Sequence, residues 1–293
     1  MLWIILTAAA APLQVARNVL QRGLIGDAGP WGATLVRFLF GLPFSIAIFA
    51  LVALLTPGAA PHAGARFLVA VTVGAVAQVA ATAALLTAMH RSGFAVATFM
   101  QQSSLPLGAL VGLVAFGDAL SGAKWGGIAA TTLGLTVLSW PRPDSAKGAV
   151  MGSLLGLASG GAFAVTLNAY RQSGMALEPH HPIYAATAGV VVAQFIQTLL
   201  LGSVLAVWRP SALRAVAASW KASLGAGFFG AAASACWFAA LAMAPAGPVR
   251  AVGVLEAPIA AAAARRLFKE RLTLRQTVGG LLTAAGVVMT ALG

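Results

Sequence analysis

Phe116-Gly117-Asp118-Ala119-Leu120-Ser121 and, 152 positions later, Phe268-Lys269-Glu270-Arg271-Leu272-Thr273 join apolar runs that also correspond to each other. The same shift lays Leu105-Pro106 on Ala257-Pro258, Gly127 on Gly279, Thr131 on Thr283 and Gly134 on Gly286. One offset therefore holds across two apolar runs and their connection. A slightly smaller shift brings Asn18 onto Asn168. The chain reads as two homologous halves, residues 1–142 and 147–293.

What the halves are made of follows from composition. Of 293 residues, 60% are hydrophobic and 8% are charged, whereas a soluble domain carries roughly 25% charged residues. Too few charges remain to cover a surface facing water. They are also segregated, leaving apolar runs near 2–21, 31–55, 67–88, 94–116, 122–140, 149–171, 183–207, 220–243, 247–267 and 274–292. About 20 residues at about 1.5 Å per residue cross a hydrocarbon core of about 30 Å. The reading is an all-α integral membrane protein of ten transmembrane helices. The first run, lacking a basic n-region, is expected to be a retained helix and not a cleaved signal. Turn chemistry marks the breaks at 26–30, 57–61, 141–144 and 179–182.

Parity sets the topology. Five helices is an odd number, so each half ends on the side of the membrane opposite to where it began, and the two halves are expected to be inverted repeats. Inverted repeats serve alternating access, because each half can take the conformation of the other when a site changes sides.

This organisation resembles the drug/metabolite transporter superfamily, and within it the EamA-like family. The acidic-x-Leu-Ser/Thr element after the fourth and ninth runs, Asp118 to Ser121 and Glu270 to Thr273, is similar to that family's motif, as is the Gly-rich helix after each copy. Two departures stand out: Asp118 where the family has Glu, and Lys269 where it has Gly. Asp118 and Glu270 read as turn and cap residues. The resemblance implies a 5+5 helix fold and movement of amino acids or related metabolites across the cell membrane, with protons as a coupling ion.

The excess of 18 Lys and Arg over 6 Asp and Glu does not indicate nucleic acid. The basic residues stand singly or in small groups at the ends of apolar runs, as the positive-inside rule produces. Most lie on the side holding Arg142, Lys147, Arg209, Arg214, Lys221, Arg265, Arg266, Lys269, Arg271 and Arg275, so the charge count places that side in the cytoplasm and both termini outside, whereas the resemblance implies cytoplasmic termini. The single cysteine, Cys236, excludes an intrachain disulfide and a cysteine metal site. His62, His90, His180 and His181 fall in or beside loops, where solvation is the simplest role. Without a G-x-x-x-x-G-K-S/T loop, ATP coupling within the chain is excluded; no cofactor is expected.

Polar groups in mid-span carry more information because lipid makes them costly. Gln14, Arg17, Asn18 and Gln21 follow i, i+3, i+4, i+7 and share one helix face. That face should point inward, although Arg17 and Gln21 could also snorkel to the surface. Asn18 and its repeat partner Asn168, Gln78, Gln101 with Ser104, and Gln194 with Gln197 describe a polar-lined cavity, expected between the halves, or else interhelical hydrogen bonds. Gly152, Gly156 and Gly160 recur every four residues and read as close helix packing.

Three intramembrane charges remain. Arg37 and Arg250 lie near enough to helix ends to snorkel. Glu256 lies deep in the ninth run, where an ionised carboxylate costs about 2.5–3.5 kcal/mol. Arg250 stands six residues away, about 120° round a continuous helix, so a partner for Glu256 is expected from another helix. Two residues on, Pro258 frees a backbone carbonyl one turn earlier, and Ser104-Leu105-Pro106 occupies the corresponding place in the first half.

Taken together, Asn18, Arg37, Gln78, Gln101, Ser104, Asn168, Gln194, Arg250 and Glu256 are the candidate substrate-binding residues of a secondary transporter for a small polar metabolite. An exchanger of phosphorylated or nucleotide-linked sugars needs clustered cations, for which only Arg37 and Arg250 are at hand. An intramembrane enzyme needs a constellation that one glutamate does not supply. A non-transporting assembly subunit leaves the polar groups without a purpose.

Overall fold

A computed structural model describes residues 1–139, 147–267 and 274–292. Helix is the regular secondary structure of the described residues, joined by short turns and loops, with no strand among them. In chain order the helices are α1 (Leu2–Gly23), α2 (Ile25–Leu39), α3 (Leu42–Leu55), α4 (Ala65–Ser92), α5 (Phe94–Gln101), α6 (Ser104–Phe116) and α7 (Gly122–Ser139). There follow α8 (Lys147–Leu177), α9 (Pro182–Trp208), α10 (Pro210–Ala218), α11 (Trp220–Met243), α12 (Ala246–Gly253), α13 (Glu256–Leu267) and α14 (Leu274–Leu292). Among the described residues six stretches are long and apolar enough to cross a membrane: Leu2–Gly23, Ala28–Leu55, Ala65–Ser92, Val150–Leu177, Pro182–Trp208 and Trp220–Met243. Ser104–Phe116 and Thr277–Gly286 are shorter apolar helices. Leu51, Leu54, Val114, Phe195 and Leu199 are exposed, whereas Gln14, Arg17, Asn18 and Gln21 are buried. Apolar outside and polar inside is the pattern of a chain whose solvent is lipid.

Three of the expected runs are interrupted, each for a local reason. The second breaks at Phe40-Gly41, where Pro43 lacks the N–H that would continue the ladder. Gly41 is needed there: a Cβ would collide with the Arg37 carbonyl and come within 3.2 Å of the Gln194 amide. Upstream, Gly29 turns the chain at φ 68°, ψ 172°, so that Pro30 begins a new helical stretch. The fourth run breaks between α5 and α6, and the ninth between α12 and α13. In both, proline is the third residue of the second segment, Pro106 and Pro258. Equivalent amides close the two breaks, Ser103 N–H on Met100 O and Leu255 N–H on Val252 O, each at 3.2 Å. Segment bounds repeat at the offset of 152: Phe94 and Ala246, Gln101 and Gly253, Ser104 and Glu256, Gly122 and Leu274. An additional short helix, α10, occupies what reads in the sequence as the loop before the eighth run.

The helices cluster into two compact units, residues 1–79 with 166–244 and residues 80–165 with 245–293. Each draws on both halves of the sequence, and the divisions fall inside α4 and α8. In the first unit α1 packs on α11, and α9 on α2, α3 and α11. In the second, α7 packs on α14 and α6 on α12.

The α7–α14 contact is reciprocal. A Cβ on Gly134 would meet the Thr283 hydroxyl, its backbone N at 2.5 Å and Gly279 O at 2.8 Å; one on Gly286 would meet Thr131 N at 2.5 Å and Gly127 O at 2.7 Å. Gly134, Thr131 and Gly127 are the repeat equivalents of Gly286, Thr283 and Gly279, so the contact is its own image. Positions rise along α7 as they fall along α14: Gly126 meets Met289, Thr131 meets Gly286 and Gly134 meets Thr283. The pair is therefore antiparallel about a local two-fold axis perpendicular to the helices.

The glycine stripe of α8 packs as expected. Cβ atoms on Gly152 and Gly156 would come within 2.6 Å of Ser92 Cβ and 2.7 Å of Met100 Cβ, and one on Gly160 would strike the Ser103 hydroxyl. Gly117 ends α6 in the left-handed conformation at φ 69°. The Asp118 N–H caps Gly112 O at 3.1 Å, a backbone bond that does not involve the carboxylate. The second copy of the motif, Phe268 to Thr273 with Lys269 and Glu270, lies outside the described residues, as do Arg142 and Asp144.

Candidate functional site

All nine candidate residues are buried. Asn18, Arg37, Gln78, Asn168 and Gln194 belong to the first unit, and Gln101, Ser104, Arg250 and Glu256 to the second.

In the first unit the polar face of α1 is fully inside, and neither Arg17 nor Gln21 snorkels: they are 1% and 0% exposed. Gln21 Nε2 donates to Ala33 O at 2.7 Å, tying α1 to α2. Arg17 donates through Nε and an Nη to Asn18 Oδ1 at 3.2 and 2.6 Å. Arg37 does not snorkel either. It is 2% exposed, reaches Ser234 Oγ on α11 at 3.4 Å and lies 5.2 Å from the Phe38 ring centre. The two arginine stems converge on α11. A Cβ on Gly230 would lie 3.2 Å from Arg37 Cγ and 3.4 Å from Arg17 Cδ, which explains a glycine at that position.

Further along, Tyr170 Oη donates to Gln78 Oε1 at 2.9 Å, while Gln197 Nε2 lies 2.8 Å from Gln78 Oε1, 3.1 Å from Tyr170 Oη and 3.1 Å from Ala75 O. Three helices, α4, α8 and α9, are pinned at one polar node. Gly74 admits the tyrosine, since a Cβ there would come within 2.5 Å of the Tyr170 ring. Gln194, one turn before Gln197, accepts from Ser45 Oγ at 2.8 Å. Its Nε2 is buried and has no hydrogen-bond partner among the described residues.

The second unit assembles its residues around Arg250. The guanidinium donates through Nε to Ser104 Oγ at 2.7 Å and through Nη2 to Gln102 Oε1 at 2.6 Å, and its Nη1 lies 3.4 Å from Glu256 Oε2. This corrects two expectations: Arg250 is buried and not interfacial, and Arg250 itself is a partner of Glu256. The 120° argument assumed a continuous helix, and the break at Val254-Leu255 removes that premise. It leaves Arg250 in the last turn of α12 and Glu256 in the first turn of α13, where each charge also complements the partial charge of its helix end. Ser104, the repeat equivalent of Glu256, meets the same guanidinium. Gln101 does not; its Oε1 and the neighbouring Thr98 Oγ1 have no hydrogen-bond partner among the described residues.

Sequence reasoning missed Gln102, Tyr170 and Ser234. Tyr170 is one of two tyrosines in the chain, two residues from the flagged Asn168, and that rarity was an available signal. Gln102 and Ser234 carried none beyond being polar in an apolar run. Outside the spans, Glu178 is also well held: Oε2 accepts from Ala60 N at 2.8 Å, Oε1 accepts from His180 N at 3.0 Å, and His181 Nδ1 lies 3.6 Å from Oε1. Chiefly through the Ala60 N–H, these partners hold its carboxyl below the usual carboxylate range, against the opposing effect of burial.

Residues 150–292 match the EamA-like transporter family. The second half of the chain thus carries the signature of this family of membrane transporters, within the drug/metabolite transporter superfamily, and together with the apolar spans it marks a multi-pass membrane protein. A crystal structure described only as that of a protein is similar over 99% of this chain and 96% of its own, at 17% identity and a TM-score of 0.61, which shows a shared fold. No curated protein matches the chain.

Proposed function

We propose that the chain is a secondary-active transporter that moves a small polar metabolite, an amino acid or related compound, across the cell membrane by alternating access. It would use ten spans in two inverted five-helix repeats, residues 1–142 and 147–293. The observation that carries this reading is the antiparallel, reciprocal contact of α7 with α14. Helices that cross a bilayer run along its normal, so a two-fold axis perpendicular to them lies in the membrane plane and relates inverted elements. A contact in the first unit points the same way. Gly74 approaches Tyr170, and Gly225 approaches Leu20, with a Cβ on Gly225 lying 3.2 Å from Leu20 Cδ1; Leu20 and Tyr170 are related by the shift that pairs Asn18 with Asn168.

The paired breaks supply the moving part. Discontinuous spans gather polar groups and free backbone ends at mid-depth, where transporters of inverted-repeat design bind solute and coupling ion. In this reading Glu256 alternates between Arg250 and a proton, which couples transport to the proton gradient. Purified protein in vesicles carrying an imposed pH gradient, supplied with a metabolite mixture, is expected to accumulate at least one small polar solute. Glu256→Gln is expected to abolish accumulation while retaining gradient-independent exchange. Accumulation by the variant with an unchanged pH profile would refute the coupling role, and no flux of any solute would refute the transport reading.

A further inference from the structure

We propose that the hydroxyl of Thr98 is the second partner of Glu256, holding its carboxyl when that group carries a proton and the pair with Arg250 is open. The inference rests on the coupling role proposed for Glu256 and names the contact that role requires. A protonated carboxyl has an O–H that needs an acceptor, and a guanidinium has none to offer. The site must therefore supply an oxygen that is not already in use.

Two such oxygens stand on α5. Thr98 Oγ1 and Gln101 Oε1 are buried and have no hydrogen-bond partner among the described residues; the two residues are 0% and 1% exposed. Three positions apart, they share a face of the helix. A buried polar atom left unpaired is costly, and one in a native structure calls for a ligand or a second state. α5 is a helix that packs on α13, which Glu256 begins. All of these residues lie in the second unit.

The internal repeat selects between the two. At the offset of 152, Thr98 is the counterpart of Arg250 and Ser104 that of Glu256. The packing of α5 on α13 is likewise the counterpart of the packing of α6 on α12. Between α6 and α12 the residues at these places touch: Arg250 Nε donates to Ser104 Oγ at 2.7 Å. The image of that contact joins Thr98 to Glu256. The reach is conserved as well, since each pair spans the gap with one ε atom and one γ atom, Nε to Oγ in the first and Oε to Oγ1 in the second. Gln101 corresponds to Gly253, which has no side chain to make such a bridge. In the arrangement described above, Glu256 faces Arg250 and Thr98 Oγ1 is idle. Halves that exchange conformations exchange such contacts, so opening one bridge and closing the other is a single movement. The titratable groups of the surrounding helices are few. α5 and α6 have none, α12 has Arg250, and Lys124 of α7 and Arg275 of α14 stand in the first turns of their helices. Arg265 and Arg266 come more than two turns after Glu256 along α13.

Infrared spectroscopy reads this contact without transport. The full-length protein in detergent would be acidified stepwise, and the protonated-carboxyl C=O band that Glu256→Gln lacks is the band of Glu256. Thr98→Val keeps the shape of the side chain and removes the hydroxyl; Thr98→Ala does the same if valine prevents folding. Either is expected to move that band to higher frequency, as the loss of a hydrogen bond does, whereas Thr98→Ser should leave it in place. A band unmoved by Thr98→Val and Thr98→Ala, or moved by Gln101→Leu alone, would overturn the assignment and leave proton coupling intact. If no band depends on Glu256 at any pH, the carboxyl takes no proton, and the coupling role and the Thr98 contact fall together.

Discussion

Neutralising Glu256 and Arg250 together should destabilise the protein by less than the sum of the two single changes. Arg250 and Glu256 are buried, with side chains 3% and 0% exposed and Nη1 and Oε2 3.4 Å apart. Glu256→Gln leaves a guanidinium in the interior with two neutral acceptors, Ser104 Oγ and Gln102 Oε1. Removing one partner of a buried pair costs about 3–5 kcal/mol. The separation exceeds the roughly 2.7–2.9 Å of a strong charged hydrogen bond, and the neutral acceptors remain, so the loss should sit at the lower end, about 3 kcal/mol. Arg250→Met should cost a similar amount, since it removes a buried cation from beside the carboxylate. The double variant buries no net charge and should fall short of the sum of the two by about 1–3 kcal/mol. Unfolding of the four proteins in detergent with increasing denaturant measures the cycle. Losses that add to within about 0.5 kcal/mol would mean the two charges do not act on each other, and the account of the broken ninth span would fail.

Gly134→Val and Gly286→Val should each cost about 1–3 kcal/mol through overpacking, and by similar amounts because their surroundings are images of each other; melting of the purified variants would show whether one is tolerated and the other is not. The contacts of Glu178 should contribute stability that is complete above the ordinary carboxylate range, because its folded-state carboxyl is held lower than in the unfolded chain. That contribution should disappear as pH falls through the lowered value, so Glu178→Gln should flatten the acid limb of a stability-versus-pH curve, and an unchanged limb would count against the contacts. Cysteines introduced at Lys124 and Lys269 should label from opposite sides of the membrane; labelling of both from one side would remove the inverted-repeat reading.

How far the sequence could carry this reading depends on the kind of information each feature needs. The polar face of α1 was legible because periodicity and the cost of burying polar groups in lipid both act locally, and four residues at helical spacing have one favourable direction. Pro106 and Pro258 were legible as sites of a freed backbone carbonyl, because a missing N–H acts on its own turn wherever the helix sits, but the breaks themselves were not read from them. The α7–α14 contact was half legible. The glycines and threonines repeat at a visible offset, but an offset is a relation along the chain, and it does not say that Gly134 meets Thr283 instead of its own equivalent. The error over Glu256 is the instructive one. Every premise holds for a continuous helix, and Pro258, two residues from Glu256, is the local reason this helix is not continuous. Had the break been carried into the geometry, Arg250 and Glu256 would have been read as the two ends of a discontinuity, one at a helix C-terminus and one at a helix N-terminus, each on the side its charge prefers. The snorkelling of Arg17, Arg37 and Arg250 failed for a related reason. Distance to the interface follows from the helix end alone, whereas Ser234 draws Arg37 inward, Ser104 and Gln102 draw Arg250 inward, and Arg17 turns onto Asn18 of its own helix. Partners on other helices are what a single sequence conceals, and in this chain they decide where the charges lie.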